Sequence, residues 1–379
     1  MRVICEGWRG IPHSYALVHQ SQAAALARRE GLDVAVRDCP FRGAMPPVRR
    51  GLLPAWIEET VAHLPAAADD AAPDLTVRTT HPFDLTAAPG GPTLVLVTAQ
   101  ARPVPPDEMA DGRPPAESVA AGGAHIVTPS TWSRERLVAD GVPAERVTVV
   151  PHGIDTAAWA PLTPRERHGA RRDLGWADDE VVVLSVGAMT ANKGLDLLLV
   201  AFARLVAADD PRLPRVRLVL KGADALFGSR DLVRQHLRGL PNAVAERVAA
   251  RITYLGGCYG LADMRRLYAA ADVYAAPYRG EGFNLPVLEA MACGLPVIVP
   301  AGGATDDFVD ATCGARIDAR RDGPALAPDR AALEAALETA VTDPDWRRAA
   351  GEAARVRALA HPDWDGAAGR LLDLAEWLA

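Results

Sequence analysis

Short runs of β-branched residues alternate along the chain with longer stretches, rich in alanine and leucine, that have helical periodicity. This alternation is typical of βαβ units and predicts parallel sheets covered by helices. In the first half it predicts strands at residues 2–5, 33–37, 76–78, 93–97, 125–128 and 147–150. In the second half it predicts strands at residues 181–186, 216–220, 251–255, 273–276 and 297–300. Both halves are therefore expected to be doubly wound, Rossmann-like sheets.

The chain has 379 residues, more than a single hydrophobic core usually organises. We expect an N-terminal domain at residues 1–165 and a second domain at residues 166–360, divided near a polar, arginine-rich stretch. The last segment, residues 361–379, has apolar residues at helical spacing and a tryptophan near each end. It is predicted to be a helix that crosses back and packs toward the first domain.

The composition of the chain disfavours several classes of binding partner. The formal net charge of -7 disfavours nucleic acid and anionic lipid, and no uninterrupted apolar run is long enough to span a membrane. The first residues lack a signal-peptide pattern, which predicts a cytoplasmic location. A basic cluster at Arg42, Arg49 and Arg50 supports at most peripheral membrane contact. The five cysteines are scattered, so neither a disulfide framework nor a zinc site is expected, and no metal ligand is assigned.

The segment 279–299 predicts a loop, a helix, a turn and a strand in that order. Gly280 and Gly282 permit close approach of the backbone, Asn284 suits a helix N-cap, and Gly294 suits the helix end. A helix start that follows glycines presents unpaired N–H groups and the positive end of the helix dipole. This arrangement favours binding of a diphosphate.

Two glutamates flank this helix start, Glu281 in the loop and Glu289 one turn inside the helix. Two carboxylates would repel a phosphate, so binding of hydroxyl groups is the functional interpretation. The alternative is that both are solvated charges on an ordinary helix.

The string Gly-Glu-Gly-Phe-x-Leu-Pro-x-Leu-Glu-Ala-Met-Ala-Cys-Gly-Leu-Pro-Val-Ile at residues 280–298 resembles the Glu-x7-Glu signature of the retaining glycosyltransferases of family 4. The resemblance implies a GT-B fold, in which two Rossmann-like domains face each other across a cleft. It also implies transfer of a hexose-type sugar from a UDP-sugar or GDP-sugar to an acceptor hydroxyl, with retention of configuration. Residues 1–165 would then be the acceptor side and residues 166–360 the donor side, with neither a metal nor a cofactor required.

The resemblance assigns roles residue by residue. Glu281 would contact the donor sugar and Lys193 would neutralise the pyrophosphate, and both are the catalytic candidates. Glu289 would hold the ribose. The backbone that would meet the diphosphate belongs to four consecutive residues, Gly282, Phe283, Asn284 and Leu285.

Further donor contacts are expected at Tyr254 and Leu255, which follow a strand where relatives hold the base through backbone groups. Gly10, in the loop after the first strand, is the candidate for approach to the diphosphate. Many relatives carry an arginine where this chain has Ala188, so one phosphate contact of the family is absent.

The histidine that many members place after the middle strand of the first domain is also absent. Gln100 or Arg102 is a candidate replacement, and His13 or His81 could reach in from neighbouring loops. Ser14 is a further candidate on the acceptor side. The alternative for Ser14 is that it caps the first helix.

The sequence supports the alternative functions to different degrees. No Gly-x-Gly-x-x-Gly joins a strand to a helix, which disfavours a nicotinamide oxidoreductase, and Lys193 is not followed by the Ser or Thr of a P-loop. A sugar-nucleotide epimerase of the same fold and a noncatalytic nucleotide-sugar-binding protein remain as alternatives. The acceptor stays unidentified: a small molecule, a saccharide or a lipid-linked compound would each fit.

Overall fold

The computed structural model describes residues 1–68, 70–207, 213–239 and 242–379, and for residues 242–244 it describes the backbone only. Its contacts divide the chain into two compact units. Unit one comprises Met1–Asp155 and Pro362–Ala379, and unit two comprises Thr156–His361.

The first boundary lies ahead of the predicted one at residues 165 and 166, because the intervening segment packs on unit two. Arg355 donates hydrogen bonds to the carbonyl oxygens of Thr156 and Trp159, and Arg265 donates one to that of Ala160.

Strands and helices alternate through both units. The strands are β1 (Arg2–Gly7), β2 (Asp33–Asp38), β3 (Leu75–Thr79), β4 (Thr93–Leu96), β5 (His125–Thr128), β6 (Val147–Val149), β7 (Val181–Val186), β8 (Val216–Lys221), β9 (Ile252–Leu255), β10 (Val273–Ala275), β11 (Val297–Pro300), β12 (Gly314–Ile317), β13 (Ala319–Asp322) and β14 (Ala325–Pro328). The helices are α1 (Ser14–Ala27), α2 (Ala55–His63), α3 (Pro115–Gly122), α4 (Thr131–Ala139), α5 (Pro164–Asp173), α6 (Leu195–Ala207), α7 (Asp224–Phe227), α8 (Ser229–Arg238), α9 (Asn242–Ala249), α10 (Leu261–Ala270), α11 (Leu285–Ala292), α12 (Arg330–Thr342), α13 (Pro344–Ala360) and α14 (Trp364–Leu378).

The sheet of unit one is parallel and has the order β2-β1-β3-β4-β5-β6. Helix α14, from the end of the chain, packs on α1 and so belongs to this unit. Arg29 in this unit donates a hydrogen bond to the carbonyl oxygen of Asp365, and Gly153 leaves no room for a Cβ against the backbone of Trp364. The tail and the body of unit one are thus held together by close backbone packing.

The sheet of unit two is parallel and has the order β12-β11-β10-β7-β8-β9, which is the Rossmann order of strands. Its core is formed where α6 and α12 cover the sheet: Phe202 and Leu337 are fully buried against strand residues such as Leu218. Strand β12 and the antiparallel hairpin β13–β14 were not predicted from the sequence. These strands are four residues long and contain one β-branched residue, Ile317, so they lack the pattern that marked the others.

Within the ranges that the structure describes, no helix combines the length and the apolar character needed to cross a bilayer. The predicted cytoplasmic location stays a prediction.

Candidate functional site

The order of strands in unit two reverses between β7 and β10, which are neighbours in the sheet. In open parallel sheets, ligands bind at such a switch point, beyond the carboxyl ends of the strands. The loop after β7 contains Lys193, at the end of a short 3-10 helix (Ala191–Lys193), and the loop after β10 contains Glu281. The topology therefore brings together the two residues proposed as catalytic.

Backbone and side-chain bonds hold these two loops against each other. The N–H of Arg279 donates to the carbonyl oxygen of Asn192 at 2.7 Å, and the Arg279 guanidinium makes a bidentate pair with Asp196 at 2.7 and 2.6 Å. Gly194 has φ +69°, and a Cβ there would lie 2.0 Å from the carbonyl oxygen of Pro277. A larger residue at Gly194 would push the loops apart.

Lys193 and Glu281 form an ion pair, with Nζ 2.5 Å from Oε1. The Glu281 side chain is 5% exposed and the Lys193 side chain 25% exposed, and the stem of Lys193 packs over Gly187. A carboxylate this deeply buried needs a charged partner, and Lys193, whose side chain is itself partly exposed, supplies it. From the sequence, Glu281 was assigned to the donor sugar and Lys193 to the pyrophosphate, and a contact between the two residues was not predicted.

Helix α11 begins directly after Asn284, which is the N-cap in the left-handed conformation, with φ +77° and no side-chain cap hydrogen bond. The predicted N-cap at Asn284 is therefore confirmed, and the residue serves by adopting a backbone conformation that asparagine tolerates, without a side-chain cap hydrogen bond. Phe283 turns its ring inward, 5.0 Å from the ring of Phe308. The burial of Phe283 anchors the loop that leads from Glu281 to the start of α11. The helix dipole favours an anion at that start.

Glu289 is one turn further along α11 and is partly buried. Its Oε2 accepts a hydrogen bond of 2.9 Å from the hydroxyl of Tyr268, a fully buried residue of α10. Burial raises the pKa of Glu289 to about 7, and the bond from Tyr268 acts in the opposite direction. The carboxyl group of Glu289 therefore changes charge near neutral pH.

Tyr254 and Leu255 are on β9, at the edge of the sheet and two strands away from β7. The Tyr254 hydroxyl donates to Asp224, its ring packs 4.8 Å from the guanidinium of Arg230, and burial together with Asp224 raises its pKa. The carbonyl oxygen of Leu255 accepts the N–H of Gly222 at 2.9 Å. Their predicted contact with a base stays a prediction.

Residues 180–343 match the family model described as Glycosyl transferases group 1. The matched segment contains Lys193, Glu281 and Glu289, the residues just described. The chain carries a group 1 glycosyltransferase domain. The resemblance to family 4 seen in the sequence is thereby confirmed.

Curated relatives of this glycosyltransferase domain align over part of the chain. The D-inositol 3-phosphate glycosyltransferase of Geodermatophilus obscurus is 34% identical over 231 residues, 57% of this chain and 47% of the relative. The alpha-galactosylglucosyldiacylglycerol synthase of Streptococcus pneumoniae is 29% identical over 175 residues, 46% of this chain and 43% of the relative. The chain thus spans about half the length of the curated relatives it matches.

Solved structures extend the likeness of fold beyond the glycosyltransferase domain. Anabaena Alr3699/HepE, in complex with UDP and glucose, covers 100% of both chains with a TM-score of 0.73 and 17% identity. Sucrose-phosphate synthase from Thermosynechococcus elongatus covers 100% of this chain and 98% of its own, with a TM-score of 0.68 and 20% identity. The predicted GT-B fold is confirmed.

Unit one, outside the glycosyltransferase domain, has its own switch point between β1 and β3. Gly10, in the loop after β1, has φ +69°, and a Cβ there would lie 2.6 Å from Cγ1 of Val48. His13 is the N-cap of α1, because its Nδ1 accepts the N–H of Tyr15 at 3.2 Å. The interpretation of Ser14 as the cap is wrong: Ser14 is the first helical residue and is exposed.

His81, in the loop after β3, is near His13 and lies 3.6 Å from Glu108, measured from Nε2 to Oε2. Arg102 pairs with the same carboxylate at 2.6 Å, and the carbonyl oxygen of Gln100 accepts the indole N–H of Trp132. Burial, and then the nearby His81, lowers the pKa of His13 to about 4. Neutral histidine is therefore the form of His13 at neutral pH.

Proposed function

We propose that this chain is a retaining glycosyltransferase that moves a hexose from a nucleoside-diphosphate sugar to an acceptor hydroxyl. The observation that carries the proposal is the Lys193–Glu281 ion pair at the switch point of the glycosyltransferase domain. The names of the relatives support the class, and the neighbour Anabaena Alr3699/HepE was solved with UDP and glucose and with UDP-glucose. UDP-glucose is therefore the first donor to test.

Transfer of the sugar requires stabilisation of the nucleoside diphosphate that leaves. As the bond between the anomeric carbon and the diphosphate oxygen breaks, negative charge grows on that oxygen, where the Lys193 ammonium and the start of α11 favour it. The acceptor oxygen bonds to the same face of the anomeric carbon, and its proton passes to the departing phosphate oxygen. Glu281, which is ion-paired with Lys193, would bind sugar hydroxyls of the donor.

We propose that the reaction needs no metal, because Lys193 and the helix start provide the positive charge that a divalent cation supplies in other transferases. Turnover in excess EDTA is expected to equal turnover in added magnesium within about twofold. The measurement is the initial rate of nucleoside diphosphate release in both buffers. A loss of turnover in EDTA that added magnesium restores would contradict metal independence and leave the sugar-transfer class intact.

The test of function is release of nucleoside diphosphate from UDP-glucose, UDP-N-acetylglucosamine and GDP-mannose, with a panel of polyol and saccharide acceptors. Wild type is compared with Glu281→Gln and with Arg321→Gln, an exposed control position on hairpin β13–β14. We expect release by wild type and the control and loss of release by Glu281→Gln. Binding of a sugar nucleotide without release in any combination would favour the noncatalytic alternative.

A further inference from the structure

Glu289 is held by a phenol that is itself deeply buried and that the sequence analysis did not select. We infer that Tyr268 is a positioning residue for the donor nucleotide, whose hydroxyl fixes one oxygen of Glu289 so that the other is presented to the ribose hydroxyls. The inference rests on the proposed function, since it assumes that a nucleotide occupies this site.

Tyr268 has little freedom of its own. It is fully buried, the ring of Trp159 meets it edge-on at 5.6 Å between centroids, and the ring of Tyr274 lies 5.8 Å away. A phenol packed in this way has a single orientation available, so the position of its hydroxyl is fixed by the core of unit two. A hydrogen bond from such a donor restricts the rotamers of Glu289 more than a bond from a surface side chain could.

The two oxygens of Glu289 are in different situations. Oε2 accepts the bond from Tyr268, while Oε1 accepts no hydrogen bond from the residues that the structure describes. A ribose offers two neighbouring hydroxyl donors, and an ionised carboxylate is a strong acceptor for them. The same division occurs at Glu281, where Oε1 is held by Lys193. In each glutamate one oxygen is held by a side chain of unit two, by the fully buried Tyr268 at Glu289 and by the partly exposed Lys193 at Glu281.

The charge of Glu289 gives a signature that a purely structural residue would not change. Its pKa is raised to about 7 by burial, and the Tyr268 bond lowers it. The groups around it are Tyr268, Tyr274 and Cys293, whose pKa values burial raises, together with the cations Arg265 and Arg355, which lower the pKa of Cys293. The ring of His361 lies 5.9 Å from that of Phe283, and the Glu289→Gln variant below distinguishes a contribution of His361 from that of Glu289.

The experiment is calorimetric titration with UDP, and with GDP in parallel, from about pH 6 to about pH 9. The proteins are wild type, Tyr268→Phe, Glu289→Gln and Tyr274→Phe. Tyr274 is the matched control, because its buried hydroxyl donates to the carbonyl oxygen of Val186 and not to a glutamate. A variant with 3-fluorotyrosine at position 268 keeps the ring in place and strengthens its hydroxyl as a donor.

We expect wild-type affinity to rise with pH through a transition near 7 as Glu289 ionises. Tyr268→Phe should bind UDP about tenfold more weakly at pH 7 and move the transition to higher pH, because a hydrogen bond to a charged group is lost. The fluorotyrosine variant should move the transition to lower pH, and Glu289→Gln should remove it. Tyr274→Phe should stay within about twofold of wild type.

Equal losses in Tyr268→Phe and Tyr274→Phe, or an unchanged transition in both Tyr268 variants, would overturn the positioning role while leaving the proposed function intact. If Tyr268→Phe does not fold, the fluorotyrosine variant tests the positioning role by itself. A shift of its binding transition to lower pH supports the role, and no shift or a shift to higher pH overturns it. Failure of wild type to bind either nucleotide would overturn the proposed function, and the inference with it.

Discussion

The switch point of unit two and that of unit one are built alike, from the loops that follow two neighbouring parallel strands, yet their chemistry differs. In unit two the loops after β7 and β10 present an ammonium and a carboxylate, and the helix that follows, α11, adds its start and a second carboxylate. In unit one the loops after β1 and β3 present rings: His13 lies 5.2 Å from Trp8, and His81 lies 5.3 Å from Phe83.

Charge separates the two sites further. Two arginines of unit one are paired within the unit, Arg9 with Asp38 at 2.5 Å and Arg102 with Glu108 at 2.6 Å, and His13 is neutral. Lys193 in unit two also has a partner, the buried Glu281, and its own side chain is partly exposed. The same arrangement of loops at a switch point therefore carries ionic groups in unit two and rings with neutral polar groups in unit one.

The largest expected effect is at Lys193. Lys193→Met should lower turnover by about 10²- to 10³-fold, because it removes a cation that stabilises the leaving group. It should also destabilise unit two by roughly 3 kcal/mol, because Glu281 is left buried without a partner. Both are measured, as nucleotide release and as thermal unfolding.

The double variant Lys193→Met with Glu281→Gln separates these two effects. It should recover most of the lost stability, because no uncompensated charge is buried, and recover none of the turnover. Recovery of turnover would contradict the assignment of Lys193.

The next effect tests how the two loops of unit two are held together. Gly194→Ala should cost roughly 3 kcal/mol and reduce nucleotide binding, since its Cβ would lie 2.0 Å from a carbonyl oxygen at φ +69°. Gly175→Ala is the matched control: Gly175 has φ +71° and no atom within 4 Å of an added Cβ, so it should cost about 1 kcal/mol. Equal costs in thermal unfolding would show that the close approach of the loops is unimportant.

Glu289→Gln is expected to weaken nucleotide binding and to increase the stability of the fold. Because the folded-state pKa of Glu289 is raised from 4.5 to about 7, its ionised form destabilises the fold in full above pH 7, and this cost fades as pH falls toward 4.5. The variant should therefore gain about 1 to 2 kcal/mol at pH 8 and little near pH 4.5. Unfolding by denaturant at the two pH values checks this, and a gain that is the same at both would contradict it.

The smallest effect is expected in unit one. His81→Ala should lower transfer to an acceptor about tenfold while leaving the affinity for UDP within about twofold, because the change is outside the glycosyltransferase domain. Transfer rates and calorimetry on the same preparation measure both quantities. A loss of UDP affinity of about tenfold in His81→Ala would contradict the prediction that the two switch points contribute to different steps.

Most of the architecture followed from the sequence because most of the parallel strands are rich in β-branched residues, as in β7. What escaped prediction depends on contacts distant in the chain. The pairing of Lys193 with Glu281 and the support of Glu289 by Tyr268 require the strand order β10-β7 and the packing of α10 on α11. The N-cap at Asn284 was predicted, but not its left-handed backbone, since asparagine can cap a helix with its side chain or with its backbone conformation.

The central claim is that Lys193 at the switch point of unit two binds a nucleotide diphosphate. It is tested most directly by comparing the affinities of UDP and uridine for wild type and for the double variant Lys193→Met with Glu281→Gln. We predict that wild type binds UDP far more tightly than uridine and that the double variant loses most of this preference, keeping only the part that the start of α11 supplies. Undiminished preference for UDP in the double variant would contradict the claim.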